Sequence, residues 1–167
     1  MDAVMRFDVV RAAKDDSAVP SRLAEVERLQ PSQATTERTF VFAPTLTLSH
    51  PPYYWTINGQ EFDPGRVDAT PRLGEVEVWR FANHKLAGIH GMPHPVHVHL
   101  VTFQILDRNG GALPAAYETG WKDTVYVPEG EEARVIMRFD GYRGRYLLHC
   151  HNLQHADCAM MTTFQVV

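Results

Sequence analysis

Short apolar runs rich in β-branched and aromatic residues alternate with turn residues along most of this chain. The pattern predicts strands at 39–48, 53–57, 76–82, 97–107, 124–127, 133–139, 145–150 and 160–167. Asn58-Gly59, Asn109-Gly110-Gly111 and Pro128-Glu129-Gly130 supply breaks between them. Strands this short, at such intervals, predict an all-β fold with two sheets packed as a Greek-key β-sandwich. Only 21–29 has a pattern compatible with a helical turn or two, and there is no sustained repeat or low-complexity tract.

The first residues differ from the rest. Met5-Arg6-Phe7-Asp8-Val9-Val10 alternates like a half-buried strand, yet no hairpin turn follows it. Residues 12–37 are polar and charged, carry Lys14-Asp15-Asp16-Ser17 and two prolines, and read as a linker. The chain therefore divides into a strand at 1–11, a linker at 12–37 and a domain at 38–167, and a length of 167 residues fits about one domain. A strand without its sheet is expected to be disordered or to pair with another edge.

Composition narrows the partners. At 44% hydrophobic the chain can build a core, and no apolar run reaches membrane-spanning length. A formal charge of -4 offers no basic footprint for nucleic acid. The start Met-Asp-Ala-Val lacks the charged and apolar regions of a secretory signal.

The histidines change the picture most. Six of nine fall in two short segments: His94-Pro95-Val96-His97-Val98-His99, and His149-Cys150-His151 with His155 close behind and Met160 after it. A thiolate, two imidazoles and a weak thioether are the donor set of a blue-copper centre, which Cys150, His94, His155 and Met160 match. Strand alternation puts His97 and His99 on one face, and His149 and His151 likewise, giving a face of four imidazoles. By the same parity Cys150 and His94 point to the opposite face. One mononuclear site and one imidazole cluster are thus expected back to back. Zinc is the rival metal, since His and Cys suit it, but zinc sites rarely recruit methionine. A disulfide between Cys150 and Cys158 would abolish the blue site, so Cys158 is read as a spare thiol. Trp121 and Tyr146 read as core aromatics.

The two segments resemble the copper motifs in the last domain of multicopper oxidases, of the bacterial spore-coat laccase and bilirubin oxidase branch. Gly120-Trp121-Lys122-Asp123-Thr124 and Met160-Met161 add to the likeness, which runs from about Phe40 onward. The resemblance implies a cupredoxin-like sandwich at 38–167, with 1–11 the closing strand of a preceding domain. It implies that His94, Cys150 and His155 are the strong ligands of a type 1 copper, with Met160 axial and Met161 the competing candidate. It further implies His97 as a type 2 ligand and His99, His149 and His151 as type 3 ligands, with electrons passing from Cys150 through His149 and His151 to a trinuclear cluster that reduces dioxygen.

That cluster takes eight imidazoles in the family, half of them from another domain. His50, His84 and His90 are isolated here, so this chain carries one half. The expected partners are therefore the N-terminal cupredoxin domains of the same oxidase or a second copy of the chain, with dioxygen and a small reducing substrate. Six methionines form no rich segment of the kind that would indicate cuprous-ion oxidation, which leaves phenols, aromatic amines or bilirubin-like pigments. A single-domain electron carrier and a self-assembled homo-oligomeric oxidase are the alternatives. The resemblance implies a secreted, cell-envelope or spore-coat location. Ala156 stands where relatives commonly carry a proton-relaying acid, which leaves Asp157 or another group to serve.

Overall fold

The computed structural model describes residues 5–46, 48, 53–85 and 92–167. Among them nine strands form two sheets: β1 (Ala34–Leu46), β2 (Tyr53–Ile57), β3 (Val76–Asn83), β4 (His94–Val98), β5 (Phe103–Arg108), β6 (Thr124–Val127), β7 (Glu132–Arg138), β8 (Gly144–Cys150) and β9 (Met161–Val166). One sheet runs β2-β1-β3-β7-β5 and the other β6-β4-β8-β9. β1 lies parallel to β3, and the other neighbouring pairs are antiparallel. The all-β sandwich expected from the strand pattern is the fold observed.

Alternate residues of facing strands fill the space between the sheets. Phe40, Phe42, Trp79, Phe81, Phe103, Phe139 and Phe164 are buried there with Val96, Leu148 and Cys150. Trp79 sits at the centre, 4.8 Å from Phe40, 5.3 Å from Phe139 and 5.4 Å from Phe164 between ring centroids. Its indole N–H donates to the buried Glu77, whose carboxylate takes both arms of Arg38. The paired cation and the hydrogen bonds compensate a charge that would otherwise be costly to bury. Tyr146 packs against this core, as expected of it. The edge of β9 is covered by residues 68–73, which exchange backbone hydrogen bonds with Thr163, Gln165 and Val167, so the strand offers no free edge there.

A smaller cluster lies on the outer face of the first sheet, where Leu29 covers Val76, Val78 and Ile136 beside Trp121. The Leu29 N–H donates to Gln104 Oε1 at 3.0 Å, and the Gln104 amide donates back to the Glu27 carbonyl. These contacts hold the chain extended, and no helix forms at 21–29; Pro31 instead opens a single 3-10 turn at Pro31–Gln33. Met5 to Val10 joins neither sheet and is exposed.

Three local differences from the sequence pattern bear on the site. β1 begins at Ala34 rather than at 39, because its first residues pair with β3. The apolar run at 97–107 is not one strand: Leu100 has a left-handed φ of 74°, and the chain passes there from β4 in one sheet to β5 in the other. A short helix, α1 (Leu153–Asp157), follows β8, capped by the Asn152 side chain, which accepts from the Gln154 N–H. No helix among the described residues is long and apolar enough to cross a membrane.

Candidate copper centre

Pairing of β4 with β8 brings the two histidine segments side by side. Val96 lies opposite Cys150 and His97 opposite His149. Inward positions of β4 are His94, Val96 and Val98, all buried, and Cys150 is buried on the same side. His155 arrives from α1, whose N-cap turns the chain back over the end of β8. The donor atoms converge: Cys150 Sγ is 3.5 Å from His94 Nδ1 and 3.4 Å from His155 Nδ1, and the two nitrogens are 3.2 Å apart.

The loop that carries these groups is closed by its own backbone. The Cys150 N–H donates to the Met160 carbonyl at 3.1 Å, and the Met160 N–H donates to the His155 carbonyl at 2.9 Å. His149 pairs with Met161, so the next pair along the ladder sets Met160 opposite Cys150. Residues directly opposite in an antiparallel pair share a face. Met160 is accordingly buried with the thiol, and Met161 belongs to the face of His149. With Met160 taken as the axial donor, Met160→Leu is expected to keep the thiolate-to-copper band and raise the reduction potential, because the axial donor tunes it, whereas Met161→Leu leaves the potential of the thiolate site unchanged; voltammetry on both variants tests that assignment.

Burial controls protonation. It presses His94 down to about 3, with the His155 imidazole adding to the effect, and it lowers His155 as well. Burial pushes the Cys150 thiol up to about 11. Near neutral pH the site therefore presents two bare imidazole nitrogens and a thiol. His94 Nε2 and His155 Nε2 are buried without hydrogen-bond partners. The indole of Trp55 stacks on His155 at 4.1 Å and stands edge-on to His94 at 5.9 Å. Two nitrogens and a sulfur within 3.5 Å of one another, in dry surroundings, fit a soft transition metal.

The opposite face of the second sheet carries His97, His99, His149 and His151. Ring centroids of neighbouring members lie 5.0 to 5.6 Å apart. The His97 Nδ1–H donates to the Asp123 carbonyl at 2.8 Å with Thr124 Oγ1 beside it, and the His149 Nδ1–H donates to the Cys150 carbonyl at 3.0 Å. These bonds fix the tautomers and leave the Nε2 atoms bare. His99 Nε2 and His149 Nε2 face each other at 3.1 Å. His99 and His149 are both lowered, by burial first and then by their imidazole neighbours. His97, His99 and His149 together offer three nitrogens within 4.8 Å.

A multicopper oxidase family model matches residues 25–167. The chain belongs to the multicopper oxidase family. It is 34% identical to a laccase of Bacillus stratosphericus over 98% of this chain and 34% of that protein. It is 37% identical to a bilirubin oxidase of Albifimbria verrucaria over 98% of this chain and 28% of that protein. In structure it is similar to a laccase from Pediococcus acidilactici, with a TM-score of 0.77 and 31% identity over 93% of this chain and 32% of that one. The chain thus spans about a third of the length of these relatives. The multicopper oxidase fold is cupredoxin-like, and copper is the family's metal. The grouping of His94, Cys150 and His155 fits a type 1 site.

His94, Cys150 and His155 form the buried triangle, Met160 is buried on its side of the sheet, and His97, His99, His149 and His151 share the opposite face. His84 is exposed at the end of β3, and His50 and His90 lie outside the described residues. Cys150 and Cys158 are both free thiols, one buried and one exposed. Asp157 is exposed at the end of α1. Sequence reasoning missed Trp55, the Asn152 cap and the Asp123 carbonyl behind His97. Asn152 ahead of Leu153 is a cap signal that was open to reading; Trp55 offered none, because its stacking on His155 crosses between the sheets.

Proposed function

We propose that this chain is the copper-binding domain of a laccase-like multicopper oxidase that takes electrons from a small reducing substrate at a type 1 copper and delivers them to a trinuclear copper cluster where dioxygen becomes water. His94, Cys150 and His155 would hold the type 1 copper with Met160 axial. His97 would hold the type 2 copper, and His99, His149 and His151 the type 3 pair. The other half of the cluster ligands would come from N-terminal cupredoxin domains. The observation that carries the reading is the back-to-back placement: a buried donor triangle and a half-exposed imidazole face joined by three consecutive residues, His149-Cys150-His151.

Copper, when bound, supplies a one-electron couple on one face and the dioxygen chemistry on the other. The chain's residues hold and orient. Cys150 gives up its proton to become a ligand, and its backbone leads directly into both flanking imidazoles. Trp55 and the buried core keep water from the thiolate. The hydrogen bonds at Nδ1 of His97 and His149 hold those rings in place on the imidazole face. An electron carrier has no use for those four imidazoles, which weighs against the single-domain alternative. Phenols, aromatic amines or bilirubin-like pigments are the proposed substrate class, a choice supported by the likeness to proteins named laccase and bilirubin oxidase. Met5 to Val10, exposed and outside both sheets, fits a strand that completes a sheet of a preceding domain.

Mixing the copper-loaded chain with its N-terminal cupredoxin domains tests the reading. Oxygen uptake driven by an aromatic reductant is expected only in the mixture. A blue chain that never supports oxygen uptake, with those domains folded and copper-loaded, would leave a carrier. The protonation states add a further expectation. At neutral pH, loading the type 1 site should release about one proton, from the Cys150 thiol, because His94 and His155 are already neutral. An indicator-dye titration in weak buffer measures this, and zero proton release would rule out the thiolate as a ligand.

A further inference from the structure

The geometry points to Asn83 as a positioning residue for His94, an inference that rests on the type 1 reading above. Asn83 is the last residue of β3 and is 1% exposed. Its Nδ2 donates to the Met92 carbonyl at 2.8 Å and to the Val127 carbonyl at 3.1 Å. Met92 stands two residues before His94, and Val127 is the strand partner of His94 across the β4–β6 ladder. One side-chain amide thus grips the backbone on both sides of the ligand, along the chain and across the sheet.

The backbone of Asn83 extends the same tie. Its N–H donates to the Glu131 carbonyl and its carbonyl accepts from the Gly130 N–H, both at 2.9 Å, which fastens the turn that follows Val127. The next residue, His84, donates its N–H to the Phe42 carbonyl at 3.0 Å. The Phe42 ring in turn lies 5.7 Å from the His94 ring. Asn83 belongs to the first sheet and His94 to the second, so the Asn83 side-chain bonds to Met92 and Val127 cross the sandwich beside His94.

A buried amide is costly unless its protons are paired. Both Nδ2 protons are paired here, and with carbonyls that bracket one metal ligand. The His94 ring has little room to move before Nδ1 loses its 3.5 Å approach to Cys150 and its 3.2 Å approach to His155. Asn83 therefore sets the ligand geometry before metal arrives. Groups behind the ligands orient them and tune the metal, and their loss costs on the order of 10–100-fold in metal affinity.

Asn83→Asp keeps the shape and removes both donors. Gln104→Glu is the matched control: Gln104 is also a buried amide bonded to two backbone groups, but it serves Leu29 and Glu27 on the outer face of the first sheet. In the copper-loaded chain, Asn83→Asp is expected to weaken copper binding by roughly 10–100-fold, to move and weaken the thiolate-to-copper band, and to displace the reduction potential. Gln104→Glu should lower the thermal midpoint while leaving affinity, band and potential as in the wild type. An unchanged band and potential in Asn83→Asp would overturn the inference, as would equal changes in Gln104→Glu. The metal-free wild type gives a measurement that does not depend on a variant folding. The Asn83 side-chain protons should exchange slowly and His94 should show one set of ring signals by NMR; fast exchange or several His94 conformers would overturn it. A wild type that loads copper without a blue band would instead remove the type 1 reading itself.

Discussion

Copper-loaded Cys150→Ser is expected to lose the intense thiolate-to-copper absorption entirely. The band needs a sulfur donor, and Cys150 Sγ is the atom that lies 3.4 and 3.5 Å from the two buried Nδ1 atoms. A serine hydroxyl is a harder ligand with no comparable charge transfer, so a copper that still bound would be pale. Cys158 cannot replace it, because its thiol is exposed on the surface beyond α1. The fold should survive, since a hydroxyl at this position has His94 Nδ1 and His155 Nδ1 as hydrogen-bond partners and is not left unsatisfied. In the assembled oxidase, oxygen uptake should fall to background, because Cys150 is the residue that joins the buried triangle to His149 and His151. Cys158→Ser serves as the control. A blue Cys150→Ser protein, or a colourless Cys158→Ser protein, would show that the assignment of the thiolate is wrong.

The metal-free chain should lose most of its stability in mild acid. His94 is held neutral by burial down to about 3, whereas an exposed histidine in the unfolded chain takes up its proton near pH 6.5. Between those values the unfolded state binds more protons than the folded state, so stability falls as the pH falls. At pH 3 this one residue costs roughly 4 kcal/mol, from about 1.4 kcal/mol for each pH decade crossed. His155, His99 and His149 are lowered too and act in the same direction. A typical domain has only about 5–15 kcal/mol in total, so unfolding is expected before pH 3 is reached. Above pH 6.5 these histidines are neutral in both states and add no slope. Bound copper should move the loss to lower pH, since the His94 nitrogen is then occupied. Denaturant unfolding at a series of pH values measures the slope; a flat profile from pH 7 to 4 in the metal-free chain would refute the account.

Much of the site was legible because β-structure turns sequence parity into spatial sides. His97 and His149 pair directly, and Val96 pairs with Cys150, so counting by twos separated the imidazole face from the thiol face without any coordinates. The same parity, extended along the β8–β9 ladder, puts Met160 on the thiol's face and Met161 on that of His149, but only once the register is known. One turn was also readable: Asn58 and Gly59 both have positive φ, 54° and 71°, as an Asn-Gly hairpin turn requires. The run at 97–107 misled because apolar content cannot report a bend; the left-handed Leu100 switches sheets inside an otherwise strand-like sequence. The helical pattern at 21–29 failed for another reason. Leu29 gains more by covering Val76, Val78 and Ile136 than a short isolated helix gains from its own hydrogen bonds.

By itself, the sequence determined the fold class, the donor types and their division between two faces. Those follow from local periodicity and from the ligand chemistry of histidine and cysteine, which need no partner to be recognised. Tertiary structure alone decided how closely the donors meet and what surrounds them. The 3.2 Å gap between His94 and His155 depends on β4, α1 and the β8–β9 loop arriving together, and residues 61 apart carry no local record of that approach. Trp55 over His155 and Asn83 behind His94 belong to the same class. Each acts across the sandwich, where packing density and the pairing of buried polar groups set the geometry and neither has a period along the chain.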